Sequence, residues 1–183
     1  MTNMKELNEY QGKVGRVLIS KEQIDAELVK AGAELDKLYD GKPLLILGLL
    51  KGSFIFMADL CRAISVPCEI GFMRAKSYGN GTVSSGVVEV TLSPDQDLTK
   101  YHVVLVEDII DTGRTVKKVA EVLRAQNPLS LHIVTLLDKP DRRVVECKAD
   151  ISLFTIPDLF VIGYGLDCAE LYRNLPYVAE YIQ

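Results

Sequence analysis

The sequence predicts an α/β protein, a mostly parallel twisted sheet flanked by helices. Three observations carry that expectation. Pro43–Leu50 and His102–Ile110 are continuous apolar runs rather than alternating ones, the pattern of strands buried on both faces of a parallel sheet. Segments with helical spacing alternate with such strands, which implies right-handed βαβ units. The length of 183 residues and mass of 20.3 kDa suit one domain over 1–183.

The elements follow in order. Gly15–Ser20 (GRVLIS) reads as a short strand, and Ser20 followed by Gln23 has the spacing of a capping box. A helix is predicted over Lys21–Tyr39, with Ile24, Leu28, Ala31, Leu35 and Leu38 on one face and Gly41 as its stop. After the Pro43–Leu50 strand come Lys51-Gly52, a helix over Phe54–Ile64 and a strand over Cys68–Lys76. Ser77–Gly86 (SYGNGTVSSG) has three glycines and small polar residues that cannot pack a core, so it reads as a mobile loop. Val87–Leu92 alternates as a strand, and Thr115–Gln126 is predicted helical with Val116, Ala120, Val122 and Leu123 buried. Leu131–Leu137, Ile151–Ile156 and Phe160–Ile162 complete the strands.

Composition narrows the function classes. Apolar residues make up 48% and charged residues 25%, which excludes disorder and fibrous repeats. The charge-free stretches Pro43–Leu50 and Gly52–Ala58 fall short of the ~20 apolar residues that cross a bilayer. A net charge of −4 offers no broad positive face to nucleic acid or anionic lipid. The N-terminus has no apolar run of the secretory kind, so a cytoplasmic location is expected. Cys61, Cys68, Cys147 and Cys168 form no CxxC pair and read as reduced structural thiols. With only His102 and His132, a histidine-rich metal site is excluded.

One segment carries chemistry. In Val103–Thr115 (VVLVEDIIDTGRT) an apolar strand meets Glu107 and Asp108, then Asp111 and a turn of small residues before a helix. Ligands of open α/β sheets sit at the carboxyl ends of strands. Asp111-Thr112-Gly113-Arg114-Thr115 can wrap N–H groups and two hydroxyls around a monophosphate at a helix N-terminus. The same residues could also be a turn with an acidic N-cap. Adjacent carboxylates at the end of so apolar a strand repel one another and call for hydroxyl donors or a cation, and a ribose with Mg²⁺ nearby would supply both.

VLVEDIIDTGRT resembles the phosphoribosyl-pyrophosphate signature of type I phosphoribosyltransferases, in the form used by the hypoxanthine-guanine group. The resemblance extends through LGLLKGSFIF (Leu47–Phe56), RAKSYGN (Arg74–Asn80), LLDKPDRR (Leu136–Arg143) and PDLFVIGYGLDCAELYRNLP (Pro157–Pro176). It implies the type I fold with a small hood and a mobile lid loop. It also implies transfer of phosphoribosyl from phosphoribosyl pyrophosphate to N9 of a 6-oxopurine, with Mg²⁺ as cofactor and a homodimer or homotetramer as the assembly.

By that resemblance Glu107 and Asp108 would hold the ribose hydroxyls and, through them, a Mg²⁺. Residues Asp111, Thr112, Gly113, Arg114 and Thr115 would bind the 5′-phosphate, with the Asp111 carboxylate facing purine N7. Lys51 and Gly52 would form the pyrophosphate loop, its Leu50–Lys51 peptide cis, with Arg173 facing pyrophosphate. Lys139 would donate to the purine O6, Phe160 would stack on the base and Val161 would offer backbone hydrogen bonds. Asp167, beside the purine, would hold a second Mg²⁺, and Ser77-Tyr78 would belong to the lid. Arg142 and Arg143 read as surface charges. The alternatives are a phosphoribosyltransferase for xanthine or a pyrimidine, and a regulator on the same fold that binds RNA or a nucleotide. A P-loop ATPase is set aside because the GxxxxGK(S/T) pattern is missing.

Overall fold

A computed structural model of the protein describes residues 13–78, 87–92 and 97–182. The strands are β1 (Val14–Ile19), β2 (Leu44–Leu50), β3 (Cys68–Tyr78), β4 (Val87–Leu92), β5 (His102–Ile110), β6 (Ser130–Asp138), β7 (Ile151–Thr155), β8 (Val161–Ile162) and β9 (Val178–Tyr181). The helices are α1 (Lys21–Tyr39), α2 (Phe54–Ala63) and α3 (Arg114–Arg124). A six-stranded sheet runs β4-β3-β2-β5-β6-β7, parallel throughout except for the antiparallel edge strand β4.

Side-chain alternation along the central strands splits the core in two. Leu44 and Ile46 of β2, with Val104 and Val106 of β5, pack under α1 and α2. Leu45, Leu47 and Leu49, with Val103 and Leu105, pack under α3 through Val116, Val119, Ala120 and Leu123. Both faces being covered explains the continuous apolar runs. Val119 takes the buried place expected for Val122, which is half-buried, because the covered stripe follows i, i+3, i+4 and i+7 from Val116. In α1, Tyr39 rather than Leu38 completes the buried face, its hydroxyl 2.6 Å from His132 Nδ1. The capping box forms, Ser20 Oγ accepting from Gln23 N at 3.3 Å and Gln23 Oε1 from Ser20 N at 2.8 Å.

The first and last predicted strands stand apart from the main sheet: β1 and β8 each pair antiparallel with β9, a strand the sequence reading missed, forming the small hood that the resemblance implies. At two residues, β8 is too short to add a full ladder to the main sheet. In addition, β3 continues to Tyr78, since Ser77 and Tyr78 pair with Val88 and Val87, whose branched side chains favour strand. Residues 79–86, the body of the expected lid, lie outside the described residues, as do the side chains of Ser77 and Tyr78. Among the described residues no helix is long and apolar enough to cross a membrane. All four cysteines are free and half-buried, and burial pushes the Cys61 thiol up to about 12.

Candidate active site

The carboxyl ends of β2, β5 and β6 converge with a loop of the hood. Strand β2 ends in a cis peptide between Leu50 and Lys51. Ser53, fully buried, closes the following turn by donating to the Leu49 carbonyl at 2.7 Å. Gly52 lies so close to β5 that a Cβ there would stand 1.6 Å from Asp108 Oδ2. Gly165 of the hood loop crowds the same turn, its own missing Cβ only 2.0 Å from the Gly52 carbonyl oxygen.

Glu107 is 8% exposed, and its Oε2 has no hydrogen-bond partner. Burial first, and then the Asp108 charge, hold its carboxyl well above the usual range. Asp108 is pushed up to about 6 by burial, which outweighs the Ile109 N–H donated to Oδ1 at 2.9 Å and the nearby Arg173 guanidinium. The other orphaned buried side-chain atom among the described residues is Arg173 Nε. An acceptor on Glu107 and a donor on Arg173 are thus left unmet, and each is expensive to leave unmatched. Among the described residues no group of three or more Asp, Glu, His or Cys could cage a metal. A hard cation here would therefore need ligands from a substrate beside the paired carboxylates, which fits the way Mg²⁺ binds with phosphates.

The raised carboxyls set the pH dependence of stability. The folded chain keeps protons on Glu107 and Asp108 where an unfolded chain, with carboxyls ionising near about 4, has lost them. Their contribution to stability is full below about pH 4 and is lost as pH rises through the folded values. Glu107→Gln should therefore unfold at a higher temperature than the parent at about pH 8, with the gap shrinking toward about pH 5, in thermal melts without divalent cations. A gap independent of pH would show that Glu107 is not protonated by burial.

The turn from Ile110 to Thr115 leads into α3 through Gly113, at φ +81°. A cavity of about 80 Å³ opens here, lined by Glu107, Asp111, Thr112, Gly113 and Thr115 among others. The helix N-terminus gives it a positive potential suited to a small anion. Behind the turn stands Arg143, which the sequence reading left as a surface charge and which is in fact largely buried. Its Nη1 donates to the Ile110 carbonyl at 2.9 Å and to the Asp111 carbonyl, its Nε to the Cys147 carbonyl at 3.1 Å, and its Nη2 to the Asp138 carboxylate. Val144 N donates to the Thr112 carbonyl at 3.1 Å. The carbonyls of the turn are thereby tied from behind. Arg142 is not a free surface charge either: it bridges Asp111 Oδ1 (3.1 Å) and Asp158 Oδ2 (3.4 Å).

On the hood side, Lys139 is 7% exposed and its Nζ donates to the Leu159 carbonyl at 2.6 Å. Phe160 is half-exposed, its ring 5.4 Å from that of Tyr181, and Val161 is buried in β8. Asp167 pairs with Arg173 Nη2 at 2.7 Å and accepts from Glu170 N at 2.9 Å. Lys51 Nζ and Arg173 Nη2 both approach Glu170 Oε2, at 2.9 and 3.5 Å. Lys51, Arg74, Glu170 and Arg173 line a cavity of about 470 Å³ walled by Leu50, Phe54 and Phe72.

Over residues 20–169 the chain matches the family model described as the phosphoribosyl transferase domain. The chain belongs to the phosphoribosyltransferase family. It is 47% identical over 168 residues to the hypoxanthine-guanine phosphoribosyltransferase of Streptococcus pneumoniae, covering 92% of this chain and 93% of the relative. It is 45% identical over 168 residues to the hypoxanthine phosphoribosyltransferase of Escherichia coli, covering 91% and 94%. A crystal structure of a hypoxanthine phosphoribosyltransferase from Staphylococcus aureus superposes with a TM-score of 0.89 at 43% identity, covering 94% of both chains.

In this phosphoribosyltransferase the residues singled out from sequence fall into two groups. Lys51, Gly52, Asp108, Asp167 and Arg173 meet where the hood loop covers the β2 and β5 ends, while Glu107 lines the small cavity at the turn after β5. Asp111 through Thr115, Lys139, Phe160 and Val161 flank the ends of β5 and β6. Sequence reasoning missed Glu170, Arg143 and Arg74. Glu170 gave no local signal, being one acid in an ordinary loop. Arg143 had one, since Asp138 and Arg143 bracket a proline-containing turn at the end of a buried strand.

Proposed function

We propose that the chain is a purine-salvage enzyme that transfers the 5-phosphoribosyl group from phosphoribosyl pyrophosphate to N9 of hypoxanthine and guanine, releasing pyrophosphate. The observation that carries this reading is the pair of unmet buried atoms, Glu107 Oε2 and Arg173 Nε, around the paired carboxylates at the end of β5. One asks for hydroxyls or a cation, the other for an anion, and phosphoribosyl pyrophosphate brings a diol and a diphosphate together. The names of the S. pneumoniae, E. coli and S. aureus relatives support the same substrates.

In this reading Glu107 and Asp108 accept from the ribose hydroxyls, and Asp111, Thr112, Gly113, Arg114 and Thr115 enclose the 5′-phosphate. Lys51, Gly52 and Arg173 hold the pyrophosphate, with Glu170 surrendering its two cations when the diphosphate arrives. Lys139 donates to O6, which selects 6-oxopurines over adenine, whose amino group cannot accept. Phe160 stacks on the base, Val161 meets its edge, and Ser77 and Tyr78 belong to a lid that keeps water from the oxocarbenium-like sugar. Asp111, facing N7, takes up a purine proton as N9 attacks C1′. Glu107, Asp108 and Asp167 are the residues that would hold Mg²⁺, which when bound neutralises charge on the leaving diphosphate.

We also read 1–183 as one phosphoribosyltransferase domain in a reducing, cytoplasmic setting, supported by its four free thiols. Exposed Phe54, Ile70 and Phe72 give it an apolar face for a second copy in a dimer or tetramer.

The test mixes the protein with Mg²⁺, phosphoribosyl pyrophosphate and, separately, hypoxanthine, guanine, xanthine, adenine and uracil. Nucleotide should form with hypoxanthine and guanine, not with adenine or uracil, and formation should stop on chelation. Saturable binding of phosphoribosyl pyrophosphate with no transfer to any base would overturn the reading in favour of a regulator.

A further inference from the structure

In the tautomer whose N9 is free to attack, a 6-oxopurine carries its imidazole proton on N7, so an N7–H donor stands beside the O6 acceptor on one edge of the base. The proposed function puts Asp111 at the first and Lys139 at the second, and gives no role to the two residues that join them. Arg142 Nε donates to Asp111 Oδ1 at 3.1 Å, and its Nη1 donates to Asp158 Oδ2 at 3.4 Å. The other oxygen of Asp158 lies 3.9 Å from Lys139 Nζ. A continuous chain of alternating charge therefore runs Asp111, Arg142, Asp158, Lys139, linking the turn after β5 to the turn after β6 and the segment between β7 and β8.

Resting on that function, we propose that Arg142 and Asp158 are positioning residues that hold Asp111 and Lys139 in register with the N7–O6 edge, so that the two groups read it together. Arg142 occupies Oδ1 of Asp111 and so presents Oδ2 to the base. Lys139 has three donors. One is held by the Leu159 carbonyl at 2.6 Å. Asp158 draws the ammonium toward itself from another side, which leaves one donor aimed at O6. A planar guanidinium suits this task because its fork spans two carboxylates in a fixed geometry. Both members are about half exposed, at 46% for Arg142 and 55% for Asp158, so solvent screens them and they add little to fold stability. Their use lies in holding two flexible side chains ready, where a small misplacement is amplified in rate.

The experiment compares the parent with Arg142→Gln and Asp158→Asn on three bases: hypoxanthine, its 7-deaza analogue without N7, and purine without the 6-oxygen. The parent should favour hypoxanthine over both analogues in kcat/KM. Arg142→Gln should shrink the preference over the 7-deaza analogue by about tenfold, the worth of one charged hydrogen bond. Asp158→Asn should shrink both preferences. KM for phosphoribosyl pyrophosphate and the melting temperature should stay at parental values. Equal losses on all three bases, or preferences kept intact, overturn the inference while leaving the proposed function standing. A parent that transfers to none of the bases overturns the function and the inference with it.

Discussion

Asp111→Asn should lower kcat by roughly 10²–10⁴-fold, the usual contribution of a general acid–base group, with the fold unchanged. The amide matches the carboxylate in shape and still accepts from Arg142, but it cannot take up a proton. Stability should hold because the side chain's bond is a solvent-screened pair with Arg142, 40% exposed on the Asp111 side. The structural burden of the turn rests on its backbone, since Arg143 grips the Ile110 and Asp111 carbonyls. Steady-state kinetics with hypoxanthine, alongside a thermal melt, gives the answer. Full turnover in the variant would remove Asp111 from proton handling.

Gly165→Ala should be the most destabilising of the small substitutions, by roughly 2–5 kcal/mol. Two penalties add. At φ +101° the new side chain is strained whatever space it finds, and here its Cβ would stand 2.0 Å from the Gly52 carbonyl oxygen, which is backbone and cannot swing aside. Relief requires the hood loop to move off the Lys51–Gly52 turn, taking Arg173 and Asp167 away from Asp108. The variant should therefore also bind phosphoribosyl pyrophosphate more weakly. Gly41→Ala is the control: its φ is +68°, but nothing lies within 4 Å of the added methyl, so only the conformational penalty of about 1 kcal/mol remains. Equal melting temperatures for the two variants would falsify the packing argument at Gly165.

Local patterns made much of the fold and the centre of the site legible. The Ser20–Gln23 capping box, the buried strands and the turn ahead of α3 each depend on residues within a few positions of one another, and the chain encodes them by spacing. The adjacency of Glu107 and Asp108 likewise announced an electrostatic problem before any neighbour was known. Three-dimensional packing decided what those residues experience. How far the Glu107 carboxyl rises depends on which strands bury it, and the reason for glycine at 52 is a carboxylate from another strand. Glu170 meets Lys51 across 119 positions, and Arg142 meets Asp111 across 31. The hood is the same lesson at larger scale: β1 and β9 come from opposite ends of the chain, so no local pattern in either announces their pairing. Periodicity reports which face of an element is apolar; it carries no information about which distant face will cover it.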